Sequence, residues 1–121
     1  MTLLRLIPIH VHAVLETILA PVLIVAPFAF GFSDGALVAS VLLGVVVMGL
    51  ALGTGATLAG QEGGLRVSAH AGLDFGLAVA ALTCSIAFAL MEDPAAGLFF
   101  GAVAIVQGVL ATTTRYTTLP A

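Results

Sequence analysis

The chain has 121 residues, of which 61% are hydrophobic and only 7% charged, and its mean hydropathy is +1.26. Soluble domains carry about a quarter charged residues, so this composition excludes an ordinary water-soluble protein. The net charge of −3 comes without a basic stripe, which excludes a nucleic-acid-binding protein.

The length allows four apolar spans of ~20 residues, each enough to cross ~30 Å of hydrocarbon. We expect one all-α membrane domain over residues 1–121, with spans over about 8–32, 36–58 and 66–91 and a fourth from 94 into the polar segment 112–116. The first span follows Arg5 but is too long for the apolar region of a signal peptide, so it is predicted to stay in the mature chain. Pro21 and Pro27 lie inside this span and should bend it, because each removes a backbone hydrogen bond.

Short turns separate the two spans of each half. Asp34 is predicted to cap the second span and Asp93 the fourth, with Pro94 in the first turn of that helix. The polar linker 59–65 divides the chain into two helical hairpins, over about 8–58 and 66–116. The three arginines lie near the N-terminus, directly after this linker and near the C-terminus, at positions 5, 66 and 115, which share one face of the membrane. The positive-inside rule therefore places both termini in the cytoplasm.

The two halves also align with each other. A shift of 58 residues superposes His12 on His70 and Glu16 on Asp74. Because each half contains two spans, the repeats should point the same way and be related by an axis along the membrane normal. The sequence therefore predicts an internal duplication that gives spans 1 and 3 equivalent positions in a four-helix bundle.

The segment LIVAPFAFGFS, residues 23–33, resembles the signature of the bacterial SPW-repeat membrane proteins, in which Ser-Pro-Trp shortly precedes a Gly-Phe-Ser turn. Ala26-Pro27-Phe28 stands here in place of Ser-Pro-Trp, and the second half has Cys84-Ser85-Ile86. The resemblance implies two helical-pair repeats and a bacterial cytoplasmic membrane location. It implies no activity, so no site residues follow from it.

Each half carries a histidine and a carboxylate four residues apart in its first span. A carboxylate at membrane depth costs ~2.5–3.5 kcal/mol even on the lenient insertion scale, so these side chains should face the bundle interior rather than lipid. Tyr116 and the hydroxyls of residues 112–114 are further candidate partners at the same end of the bundle. The predicted polar cluster comprises His12, Glu16, His70, Asp74, Arg66, Arg115 and Gln107.

Small residues recur every four positions on several spans, a pattern that lets helix backbones approach closely. On span 3 this face lies almost opposite the histidine and carboxylate face, because two residues turn a helix through ~200°. Such contacts would form within the bundle or across a homo-oligomer. The predicted packing positions are Gly49, Gly53, Gly72, Gly76, Ala80, Gly97 and Gly101.

Three interpretations of the polar cluster remain open. The first is an ion-pair and hydrogen-bond cluster that fixes helix register, with Arg66 or Arg115 neutralising the acids. The second is a divalent-metal site made by the two histidines and two carboxylates, or a haem held by the two histidines. The third is proton or small-cation movement, for which carboxylate and histidine chains serve in membranes.

Hydrolytic catalysis has little support. The sequence contains no helix-borne HExxH, and its one G-x-S-x-G match, at residues 31–35, falls at the predicted turn between two membrane spans rather than at a strand-to-helix nucleophile elbow. We therefore expect a small non-enzymatic membrane protein, structural or accessory, without a cofactor. It is predicted to self-associate or to belong to a larger membrane complex. Metal or haem binding is the alternative function, and proton or cation translocation is the second alternative.

Overall fold

The computed structural model describes residues 6–60, 64 and 66–116. Its four helices are α1 (Ile9–Ala29), α2 (Asp34–Leu58), α3 (Val67–Leu90) and α4 (Pro94–Thr113). All four are long and apolar enough to cross a membrane, which confirms the predicted number of spans. Arg5 and most of the predicted linker lie outside the described residues.

Most packing joins consecutive helices, α1 with α2 and α3 with α4. Helices α1 and α2 approach closely at Gly44, where a Cβ atom would lie 2.9 Å from the Ala20 carbonyl oxygen. The α3–α4 contact uses Gly97, whose Cβ would lie 3.1 Å from that of Ala89. All four helices contribute to one central apolar core, formed by Ala20, Leu23, Val47, Ala81 and Val103.

Apolar side chains lie on the outside of the bundle as well as in its core. Large apolar side chains cover the outside of every helix, as at Ile18, Leu42, Val79 and Ile105. An exposed apolar surface of this extent indicates a lipid environment rather than water. The buried polar and charged side chains are His12, Glu16, Ser40, Thr54, His70, Asp74, Gln107 and Thr114.

The two turns at the end of the bundle away from these histidines are joined by one side chain. Asp93 caps α4 as predicted: its Oδ1 accepts a hydrogen bond from the Ala96 amide at 3.2 Å. Its Oδ2 accepts a second from the Ser33 amide, at 2.8 Å, in the other turn. Asp34 does not cap α2, because Ser33 occupies the cap position and Asp34 is the first helical residue.

Replacing Asp93 with Asn should lower the melting temperature, since an amide NH₂ group cannot accept the hydrogen bond that the second carboxylate oxygen accepts. The hydrogen bond from the Ser33 amide lowers the pKa of Asp93. The carboxylate therefore stabilises the fold fully above its unfolded-state pKa, and this contribution is lost as the pH falls through its folded-state pKa.

Melting curves in detergent should show a higher melting temperature for the wild type than for Asp93→Asn at neutral pH, and this difference should shrink in acid. Glu92→Gln, in the same turn, is the control, and an unchanged melting temperature for Asp93→Asn at neutral pH would contradict this role.

The two ends of the described chain lie side by side. Ile7–Pro8 (β1) pairs in parallel with Thr114–Arg115 (β2), with Ile7 opposite Thr114. This short pairing is an addition to the predicted all-α fold. It places the entry to α1 and the exit from α4 at one end of the bundle, beside the buried histidines.

The small-residue faces divide into two kinds. Gly97 and Gly101 lie between α3 and α4, against Ala89 and Ser85. In contrast, a Cβ atom at Gly49, Gly72 or Gly76 would meet nothing within 4 Å. Those three glycines do not hold the described helices together, and self-association through them stays a prediction.

Candidate functional site

The polar cluster is built from one histidine and one carboxylate on each of α1 and α3. Residues four apart on a helix lie on one face, so α1 directs His12 and Glu16 inward and α3 directs His70 and Asp74 inward. All four side chains are fully buried. They are the fourth and eighth residues of their helices, near the end where β1 and β2 pair. The structure therefore contains a buried histidine and carboxylate cluster.

The four side chains alternate around a common centre. His12 Nε2 lies 3.0 Å from Glu16 Oε1 and 2.9 Å from Asp74 Oδ2. His70 Nε2 lies 2.9 Å from Glu16 Oε2 and 3.3 Å from Asp74 Oδ1. Each imidazole therefore contacts both carboxylates, and each carboxylate contacts both imidazoles. One donor atom from each residue lies within 4.8 Å of the other three.

These contacts lack hydrogen-bond geometry. Neither Nε2 atom, and neither oxygen of Glu16, has a hydrogen-bond partner among the described residues. A buried polar atom without a partner costs ~1–3 kcal/mol, and more if it is charged. The Nε2 atoms thus point between two carboxylates rather than along a line to either one.

Threonine hydroxyls orient both imidazoles by hydrogen bonds at Nδ1, the ring nitrogen that does not contact the carboxylates. His12 Nδ1 and Thr114 Oγ1 are hydrogen-bonded at 2.6 Å, and His70 Nδ1 is hydrogen-bonded to Thr54 Oγ1. Each threonine comes from the helix pair that does not contain its histidine. Thr54 lies on α2, and Thr114 lies directly after α4. The bonds fix the ring orientations and leave both Nε2 atoms facing the centre.

The two carboxylates are held differently. Asp74 Oδ1 accepts a hydrogen bond from Gln107 Nε2 at 3.1 Å, and Asp74 Oδ2 accepts one from the Tyr116 hydroxyl at 2.6 Å. Glu16 has no equivalent donor among the residues that the structure describes. Asp74 is therefore fixed in orientation by its neighbours, whereas Glu16 contacts chiefly the imidazoles.

No family model, no curated protein and no solved structure matches this chain. The resemblance to SPW-repeat proteins and the internal duplication therefore stay predictions. What the cluster can do follows from its own residues.

Five of the seven residues predicted for the cluster come together, and the two arginines do not. Arg66 is exposed and Arg115 is half-buried, and neither forms an ion pair with Glu16 or Asp74 in the described part of the chain. Arg66 precedes the first turn of α3 with an extended backbone, so the i, i+4 spacing that aligns His70 with Asp74 does not extend to it. The acids are not neutralised by arginine, and the histidines are the basic groups that contact them.

Thr54 is the site residue that the sequence analysis missed. The shift that superposes the two halves places Thr54 close to the 112–114 run of threonines, which was considered as a source of hydroxyl partners. The same alignment that paired the histidines could therefore have paired Thr54 with that run.

Proposed function

We propose that this integral membrane protein holds a divalent transition-metal ion between its two helix pairs, at the cluster formed by His12, Glu16, His70 and Asp74. The supporting observation is the convergence of two buried Nε2 atoms and two carboxylates with no hydrogen bond between them. Imidazole and carboxylate are ligands that divalent transition metals accept.

The separations suit ligands of a shared ion. Metal–nitrogen and metal–oxygen bonds of about 2.1 Å at right angles place their donor atoms about 3.0 Å apart. The four imidazole–carboxylate separations run from 2.9 to 3.3 Å. A centrally bound cation would provide the partner that the Nε2 atoms and the oxygens of Glu16 lack.

Charge and tautomer also agree with a divalent ion. Two carboxylates carry two negative charges, which one divalent cation neutralises while both imidazoles remain uncharged. A metal-binding histidine commonly donates its other ring N–H to a neighbouring oxygen, which fixes the tautomer. Thr54 and Thr114 place a hydroxyl oxygen at each Nδ1 for this purpose.

A haem fits the same residues poorly. The two imidazole rings are edge to face with centroids 5.3 Å apart, and both carboxylates occupy the space between their Nε2 atoms. A porphyrin placed between axial histidines would have to displace Glu16 and Asp74 together. Of the two ligand-binding alternatives, a bare cation is the one that the geometry favours.

Translocation through the centre of one chain is also disfavoured. Beyond the cluster the described helices enclose a cavity of about 10 Å³, lined by Gln107 and seven apolar side chains. That volume holds at most about one water molecule, so it cannot contain the hydrogen-bonded chain that a proton would need. A bound ion with fully buried ligands is therefore a resident ion.

Metal analysis of protein purified in detergent tests the proposal. We expect stoichiometric divalent metal in the wild type and its loss in His12→Ala. His10→Ala is the matched control, because His10 is exposed and lies only two residues away. Wild-type protein that is metal-free and takes up neither Mn²⁺, Co²⁺ nor Zn²⁺ on dialysis would overturn the proposal in favour of a purely structural cluster.

A further inference from the structure

The hydrogen bonds to Asp74 indicate how that carboxylate would bind an ion. A carboxylate oxygen has two acceptor sites. One site on Oδ1 is used by Gln107 and one on Oδ2 by Tyr116. The second site on each oxygen remains for the centre of the cluster, towards which both oxygens are turned.

Both carboxylates present two oxygens to the imidazole pair. Asp74 places Oδ2 near His12 and Oδ1 near His70, and Glu16 places Oε1 near His12 and Oε2 near His70. Each imidazole nitrogen therefore lies beside one oxygen of each carboxylate, so two nitrogens and four oxygens are available to a shared ion. Six donors are two more than a tetrahedral ion can use.

We infer that the site is six-coordinate, and that Gln107 and Tyr116 are positioning residues that hold Asp74 bidentate and so set the coordination number. This inference rests on the proposed metal-binding function. A set of two nitrogens and four oxygens suits the oxygen-tolerant ions Mn²⁺ and Fe²⁺, whereas structural Zn²⁺ sites are almost always tetrahedral. Selection between these ions depends on geometry, because intrinsic affinity alone rises from Mn²⁺ towards Cu²⁺.

The rest of the site agrees with this class of ion. The described cluster contains no cysteine, so a thiolate, one of the soft ligands that select Cu⁺, is not part of it. Gln107 donates its hydrogen bond to Asp74 from α4, on the side of the apolar core. Tyr116 donates its hydrogen bond from the chain after α4. The two donors thus hold Asp74 from different elements and prevent its rotation to a monodentate position.

Co²⁺ substitution reports the coordination number directly, because six-coordinate Co²⁺ absorbs visible light weakly and tetrahedral Co²⁺ absorbs it strongly. We expect weak visible bands from Co²⁺-loaded wild type and stronger bands from Gln107→Leu. Tyr116→Phe, which removes only the hydroxyl, should act in the same direction and guards against a Gln107 variant that fails to fold. Thr112→Val is the control, since its hydroxyl bonds only to carbonyl oxygens of its own helix.

Competition between Mn²⁺ and Zn²⁺ gives a second measurement. Loss of a residue that hydrogen-bonds a metal ligand typically changes metal affinity about 10–100-fold. Here the affinity for Mn²⁺ should fall more than the affinity for Zn²⁺. The Zn²⁺/Mn²⁺ preference should therefore shift by a similar factor. An intense tetrahedral spectrum from wild type, or an unchanged preference in both variants, would overturn the six-coordinate inference while metal binding itself stood. Failure of the wild type to bind Co²⁺ or any competing ion would instead overturn the proposed function.

Discussion

Replacing His70 with Leu should lower the free energy of unfolding by about 3–5 kcal/mol, the range found when one member of a buried charge cluster is removed. Glu16 and Asp74 would then face a single imidazole inside a bundle where both are fully buried. One carboxylate would have to be protonated or remain uncompensated, and the Thr54 hydroxyl would lose its hydrogen bond to the ring. Chemical unfolding in detergent micelles measures the loss.

His10→Leu is the matched control for this substitution. It makes the same chemical change on the first turn of α1, but at an exposed position, so its effect should stay within about 0.5 kcal/mol. His12→Leu should resemble His70→Leu, because each imidazole contacts both carboxylates and one threonine. Equal stabilities for the His10 and His70 variants would show that the cluster contributes nothing to folding.

The four core positions of the cluster could be predicted because two strong constraints act together. The i, i+4 spacing puts a histidine and a carboxylate on one helix face, and hydrocarbon makes the lipid-facing alternative costly. Both constraints are local to one helix and need no knowledge of the neighbours. Gln107 followed for the same reason, as a polar side chain deep within an apolar helix.

Threonines could not be assigned in this way. A threonine in an apolar helix can satisfy its hydroxyl on its own backbone, as Thr17 does on the Ala13 carbonyl and Thr83 on that of Val79. Such a residue is tolerated on any face, so its presence in the sequence does not show which way it points. Thr54 was distinguished from them only by the register between α2 and α3.

Glycines illustrate the same limit in packing. Gly44 and Gly49 lie on one helix, yet a side chain at Gly44 would strike α1 and a side chain at Gly49 would meet nothing. The sequence analysis selected Gly49 from its four-residue spacing and did not select Gly44. Spacing identifies a face that permits close approach, but the rotation of α2 against α1 decides which face is used.

A variant with an apolar cluster separates the contribution to folding from the contribution to binding. It carries His12→Leu, Glu16→Met, His70→Leu and Asp74→Leu. Gln107→Leu, Thr54→Val, Thr114→Val and Tyr116→Phe are added so that the amide and hydroxyl groups that bond to these four residues are removed with them. Replacing a whole buried ionic cluster with well-packed apolar groups is often neutral, or stabilising by about 1–4 kcal/mol. We expect this variant to unfold with at least the free energy of metal-free wild type, recovering what His70→Leu loses.

The same variant should bind no divalent metal under conditions that load the wild type. Retained stability with lost binding would mean that the fold does not require the buried charges, because apolar packing of the four helices suffices. Their location on two separate helix pairs would then be explained by the ion that they share. If the variant were instead as unstable as His70→Leu, the histidines and carboxylates would be the principal contact that joins α1 to α3, and the metal would be secondary to that structural role.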